Sequence, residues 1–67
     1  MKILLNDKPL VVDDGASLQT LLSVRGFASK AGLAVAVNQS VVPAGEWDSC
    51  EIVEGDSILL IQATQGG

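Results

Sequence analysis

An α+β fold is predicted for this 67-residue chain: a mixed four- to five-stranded sheet with one main helix packed on one face. Three observations predict it. Short apolar runs bounded by turn residues recur along the chain. A single stretch carries helical spacing. The last run, Ile58-Leu59-Leu60-Ile61, is apolar on both faces, as expected of a central strand.

The elements follow in order. Lys2-Ile3-Leu4-Leu5-Asn6 reads as a strand, Asp7-Lys8 as a tight turn, and Pro9-Leu10-Val11-Val12-Asp13 as a second strand with proline at its first position. Together they form a hairpin, broken by Asp14-Gly15. Ser17 offers a helix N-cap. Leu18, Leu21 and Leu22 stand at i, i+3 and i+4 and share one helical face. Gly26 ends this short helix, since glycine tolerates the left-handed C′ conformation. Phe27 folds back as a core plug, and residues 28–32 are small and irregular. Leu33-Ala34-Val35-Ala36-Val37 is a strand with large residues on one face and alanines on the other. Asn38-Gln39-Ser40 turns it into Val41-Val42-Pro43, a short strand that proline ends or confines to an edge. Residues 44–51, with Trp47 in a polar setting, read as a loop or short turn. Ile52-Val53 is a brief extended piece, Glu54-Gly55-Asp56 a turn, and residues 58–63 the last strand.

The order is β-β-α-β-β-β. Pairing the first and last strands in parallel at the centre, with the hairpins outside, gives the β-grasp or ubiquitin-like arrangement. The whole chain is then one domain, 1–67, ending in a flexible tail at 64–67. Strand parity places Ile3, Leu5, Val35, Val37, Ile58 and Leu60 against Leu18, Leu21 and Leu22 of the helix. Leu4, Leu59 and Ile61 fall on the open face, where clustered aliphatic side chains form a docking patch for a partner.

Composition narrows the chemistry. The chain has no His and one Cys, so it lacks the usual acid–base group of neutral pH, the commonest metal ligand and any internal disulfide. No nucleophile–base pair can be assembled on those terms, which argues against an enzyme. No metal or cofactor is called for. Eight acids against four bases give a net charge of −4, so a nucleic-acid footprint is missing and a basic protein surface is the natural counterpart. No apolar run approaches the roughly 20 residues that span a membrane, and Met1-Lys2-Ile3-Leu4-Leu5 meets Asn6-Asp7 at once, unlike a signal peptide. A chain without disulfide staples fits a reducing cytoplasm.

The chain ends at Gly66-Gly67. Such a pair arises by chance about once in 200 chains at average glycine usage. With no side chains it can enter a slot where any Cβ would clash, carrying one carboxylate with it.

The segments Val37-Asn38-Gln39-Ser40-Val41-Val42-Pro43, Trp47, Glu54-Gly55-Asp56-Ser57-Ile58-Leu59-Leu60 and the closing Gly66-Gly67 resemble the sulfur carrier proteins of thiamin biosynthesis over the whole chain. The glycine pair is common to all ubiquitin-like carriers; the Val-Asn-x-x-x-Val-Pro segment followed by Trp is more selective. The resemblance implies that an E1-like adenylyltransferase uses ATP to adenylate the Gly67 carboxylate. A sulfur donor protein then converts the adenylate to a thiocarboxylate, which passes its sulfur to thiazole synthase. Gly66 would let the tail thread the active site.

The small subunit of molybdopterin synthase shares fold, terminus and chemistry, but tends to be longer and to carry a proline-containing stretch before its glycines. Neither trait is present here. A stand-alone binding module with the same fold, its glycines passive, is the other alternative. Cys50, in a polar loop, is read as an incidental thiol. Trp47 is read as packing over a sheet edge and anchoring its loop. The acids Asp13, Asp14, Glu46, Asp48, Glu51, Glu54 and Asp56 are accounted for by solvation and turn formation.

Overall fold

The computed structural model describes residues 1–27 and 32–62. The predicted irregular stretch over 28–31, residue 63 of the last strand and the flexible tail at 64–67 lie outside the described residues.

Five strands form one sheet in the order β2-β1-β5-β3-β4. They are β1 (Lys2–Leu5), β2 (Lys8–Val11), β3 (Leu33–Val37), β4 (Ser40–Val41) and β5 (Ser57–Gln62), with a helix α1 (Leu18–Val24) between β2 and β3. β1 and β5 pair in parallel at the centre. The β1/β2, β3/β5 and β3/β4 pairs are antiparallel. This is the predicted β-grasp, with β5 as its central strand.

The first turn sits one residue earlier than predicted, and the second is one residue shorter. Leu5 pairs with Lys8 and Val37 with Ser40, so the loops are Asn6-Asp7 and Asn38-Gln39. All four loop residues have positive φ, at 50°, 67°, 50° and 74°. A two-residue hairpin of this kind needs the left-handed conformation at both positions, which asparagine and aspartate tolerate and a lysine does not favour. Lys8 and Ser40 therefore belong to strands. Pro9 is the second residue of β2 rather than its first, tolerated because β2 is an edge strand. β4 is Ser40–Val41, ahead of Val42 and Pro43.

The helix is capped at both ends. The Ser17 hydroxyl accepts the Thr20 N–H at 3.1 Å. Leu18 N–H donates to the Cys50 carbonyl at 2.8 Å and Gln19 N–H to the Trp47 carbonyl at 3.0 Å. The first-turn donors, which a helix cannot satisfy itself, are thus met by the segment on which α1 rests. Residues 44–51 are accordingly more than a polar loop. They hold a single 3-10 turn, Ala44–Glu46, and present two carbonyls to the helix. At the other end Gly26, with φ 81°, donates to the Ser23 carbonyl, and Phe27 donates to that of Leu22. That pair of bonds is the Schellman motif, with Phe27 half-buried against the core.

Ile3, Leu18, Leu21, Leu22, Val35, Trp47, Ile52 and Ile58 form the core between α1 and the sheet. Leu5, Val37 and Leu60 pack against it, so all nine residues assigned to the helix-covered face by parity lie there. Two features correct the sequence reading. Trp47 is a core residue, 5% exposed, although its sequence neighbours are polar; its indole N–H donates to the Val42 carbonyl, next to edge strand β4, at 2.9 Å. It does anchor its loop. Extended pairing falls at Glu51, bridged to Ser17, with Ile52 N–H donating to the Ala16 carbonyl and the Ile52 side chain buried.

Candidate functional site

The sheet face opposite α1 is the candidate site. Residues directly opposite each other on paired strands share a face, so the register defines it. Leu4 lies opposite Pro9 of β2 and Ser57 of β5. Leu59 and Ile61 of β5 lie opposite Ala36 and Ala34 of β3, and Ala36 lies opposite Val41 of β4. Lys2 lies opposite Val11. The result is an apolar band across all five strands, running from Val11 and Pro9 through Leu4, Leu59 and Ile61 to Ala36 and Val41. Its larger members are exposed: Val11 76%, Val41 74%, Ile61 55%, Leu59 45% and Leu4 38%. A one-sided sheet ordinarily alternates apolar-in with polar-out. Here the outward positions are mostly apolar too.

The structure thus gathers Leu4, Leu59 and Ile61 on one surface. It adds Val11 and Val41, which only the pairing register could place there. The alternating alanines of β3 were the sequence signal that its outward face is flat. Across from Leu59 and Ile61, those alanines leave the β5 side chains standing proud.

Both hairpin turns reach into β5. Asn6 N–H donates to the Ile58 carbonyl at 2.9 Å, and the Asn6 Oδ1 accepts the Leu60 N–H at 2.8 Å. Asn38 N–H donates to the Ser57 carbonyl at 2.8 Å, and its Oδ1 accepts the Ser57 N–H at 3.0 Å. The Asn38 amide also donates to Asp56 Oδ1 at 2.9 Å, while Asp56 Oδ2 accepts the Val53 N–H at 2.9 Å. Asp56 is 6% exposed, so it is a buried turn-closing group and not a solvated acid. Glu54, by contrast, is exposed and accepts the Lys2 N–H at 3.0 Å.

Cys50 is a free thiol in the loop after the 3-10 turn, and it is partly buried against the core. Among the described residues, no group of three or more His, Cys, Asp or Glu could hold a metal ion. A cleft of about 350 Å³ lies between α1 and the end of β2, walled by Val11, Asp13, Asp14, Thr20 and Val24. No helix among the described residues is long and apolar enough to cross a membrane. Gly66 and Gly67, assigned to tail threading and modification, lie outside the described residues; β5 is the element that leads to them.

Three comparisons bear on this arrangement. The model of the ThiS family matches residues 2–67. The chain is 37% identical over 67 residues to the sulfur carrier protein ThiS of Escherichia coli (strain K12), covering 100% of both chains. A crystal structure of the thiamine biosynthesis protein ThiS from Geobacter metallireducens superposes with a TM-score of 0.85 at 26% identity, covering 100% of both chains. A solution structure of a thiamine biosynthesis protein from the same organism gives 0.79 at 26% identity, over 100% of this chain and 88% of that one.

Proposed function

The chain belongs to the ThiS family, and from that premise we propose that it carries sulfur on the carboxylate of Gly67. It is a sulfur carrier of thiamin biosynthesis, a small carrier rather than a catalyst. Its working group is then its own chain end, and the chemistry comes from its partners. An E1-like adenylyltransferase brings ATP. A Gly67 carboxylate oxygen attacks phosphorus, pyrophosphate leaves, and the carboxylate becomes an acyl-adenylate. A sulfur donor displaces AMP to leave a thiocarboxylate. Thiazole synthase takes the sulfur. A carboxylate is a poor electrophile until one oxygen becomes a good leaving group, and adenylation supplies that. We place these steps in the cytoplasm, where Cys50 stays a free thiol.

The observation that carries the reading is the position of β5. It is the central strand, it leads to the glycine pair, and its outward residues Leu59 and Ile61 lie with Leu4 in the exposed apolar band. A partner gripping that band holds the element that delivers the tail, and Gly66 lets the tail thread a narrow channel. An apolar area of this kind is what a docking surface requires.

Incubation with the adenylyltransferase, ATP and a sulfur source tests it, read by the intact mass of the chain. One oxygen is expected to be replaced by sulfur at the C-terminus. Oxidation of Met1 gives nearly the same mass change, so a thiol-specific alkylation separates the two. Deletion of Gly67 is expected to abolish sulfur uptake and leave the urea midpoint unchanged. An unmodified terminus in the presence of an active enzyme would refute the assignment.

A further inference from the structure

We infer that Asn6 is a positioning residue for the C-terminal tail: its side chain holds β5 at Leu60 and so sets the line along which the tail leaves the sheet. The inference rests on the reading that the tail carries the sulfur.

Backbone pairing between β1 and β5 is short, Leu4 with Ser57 and Leu5 with Ile58. Asn6 N–H adds one bond, to the Ile58 carbonyl. The main chain then turns away into β2 with Asn6 at φ 50°. β5 continues to Gln62, and past Asn6 its β1 side has no strand neighbour among the described residues. Had β1 run on, parallel pairing would have met the Leu60 N–H with a main-chain carbonyl. The Asn6 Oδ1 takes that place at 2.8 Å. One side chain therefore does two jobs. It tolerates the left-handed turn, and it extends the pairing lane by one rung on the side where the lane stops. Among the described residues, this is the last hold on β5 from that side.

Asn38 supplies the internal comparison. It grips β5 in the same way, but at Ser57, the end remote from the tail, and it is further tied to buried Asp56. Loss of Asn38 therefore disturbs the fold at least as much as loss of Asn6, without touching the exit.

The test uses Asn6→Gly, which keeps the left-handed turn and deletes the amide. Asn6→Asp restores an acceptor oxygen in the same place, and Asn38→Gly controls for stability. Hydrogen exchange at Leu60 is expected to quicken about tenfold in Asn6→Gly as a local opening, with Val35 and Ile58 unchanged. Because small misplacements of a reacting group cost large factors in rate, kcat for adenylation of Gly67 is expected to fall about tenfold. KM should stay near wild type, since the docking band is intact. Asn6→Asp should recover both readouts. A wild-type kcat in Asn6→Gly, or a fall matched by Asn38→Gly in proportion to lost stability, overturns the inference. A wild-type chain that takes no sulfur refutes the carrier reading instead, and the Leu60 exchange rate still reports on the Asn6 hold.

Discussion

Ile58 and Leu59 are neighbours on one strand, yet 1% of Ile58 is exposed and 45% of Leu59. Ile3 and Leu4 repeat the contrast on β1, at 1% and 38%. Nothing in side-chain chemistry separates the members of each pair. What separates them is the face they occupy. The helix-covered face is filled by aliphatic side chains and Trp47 and holds the fold together. The other face is nearly as apolar, and among the described residues nothing packs over it. Apolar residues kept in water on a small protein point to use elsewhere. On the docking role proposed above, one β-strand thus alternates a residue for stability, Ile58, with a residue offered for recognition, Leu59.

That division can be broken by substitution, and Ile58→Ala is the strongest attempt. Truncating a buried Ile is expected to cost about 2–5 kcal/mol, a large part of what a domain of this size has in total. Urea unfolding followed by circular dichroism reads the loss, and a midpoint close to wild type would mean that the covered face is not the stabilising one. Asp56→Ala asks whether the covered side depends on apolar packing alone. It leaves the Val53 N–H and the Asn38 amide without their acceptor, and about 1–3 kcal/mol of destabilisation is expected by the same measurement. Leu59→Ala sharpens the contrast from the other side. Stability is expected to stay within about 0.5 kcal/mol of wild type, as for ordinary surface positions. KM for the adenylyltransferase should rise about tenfold or more if Leu59 is a central anchor of the docking surface. A Leu59→Ala variant that unfolds as readily as Ile58→Ala would erase the distinction between the faces.

Much of the fold was legible in local pattern. The Ser17 cap, the Gly26 stop and the leucines at helical spacing define α1, because helix ends are set by residues within one turn. Period-two parity sorted Ile3 from Leu4 and Ile58 from Leu59, because successive strand residues point to opposite faces. The failures share a different origin. Asp7-Lys8 reads as a tight turn in the sequence, whereas the register places Asn6-Asp7 there. Trp47 and Asp56 stand among polar neighbours in the sequence, and Asp56 does close its turn, yet both are buried by segments distant in sequence: Trp47 beneath the start of α1, Asp56 beside Asn38. The candidate site divides the same way. Leu4, Leu59 and Ile61 were found from parity, while Val11 and Val41 joined them only through strand order.

The sequence alone determined the element types, the α+β class, the strand and helix residues that meet on the covered face and the family pattern that ends in Gly66-Gly67, because each depends on periodicity or on short-range turn chemistry. Only the tertiary structure decided which strands are neighbours, how far the open apolar band extends, that Trp47 belongs to the core, and that Asn6 reaches across to Leu60. Those depend on pairing register and on contacts 50 and more residues apart in the chain, which no local pattern encodes.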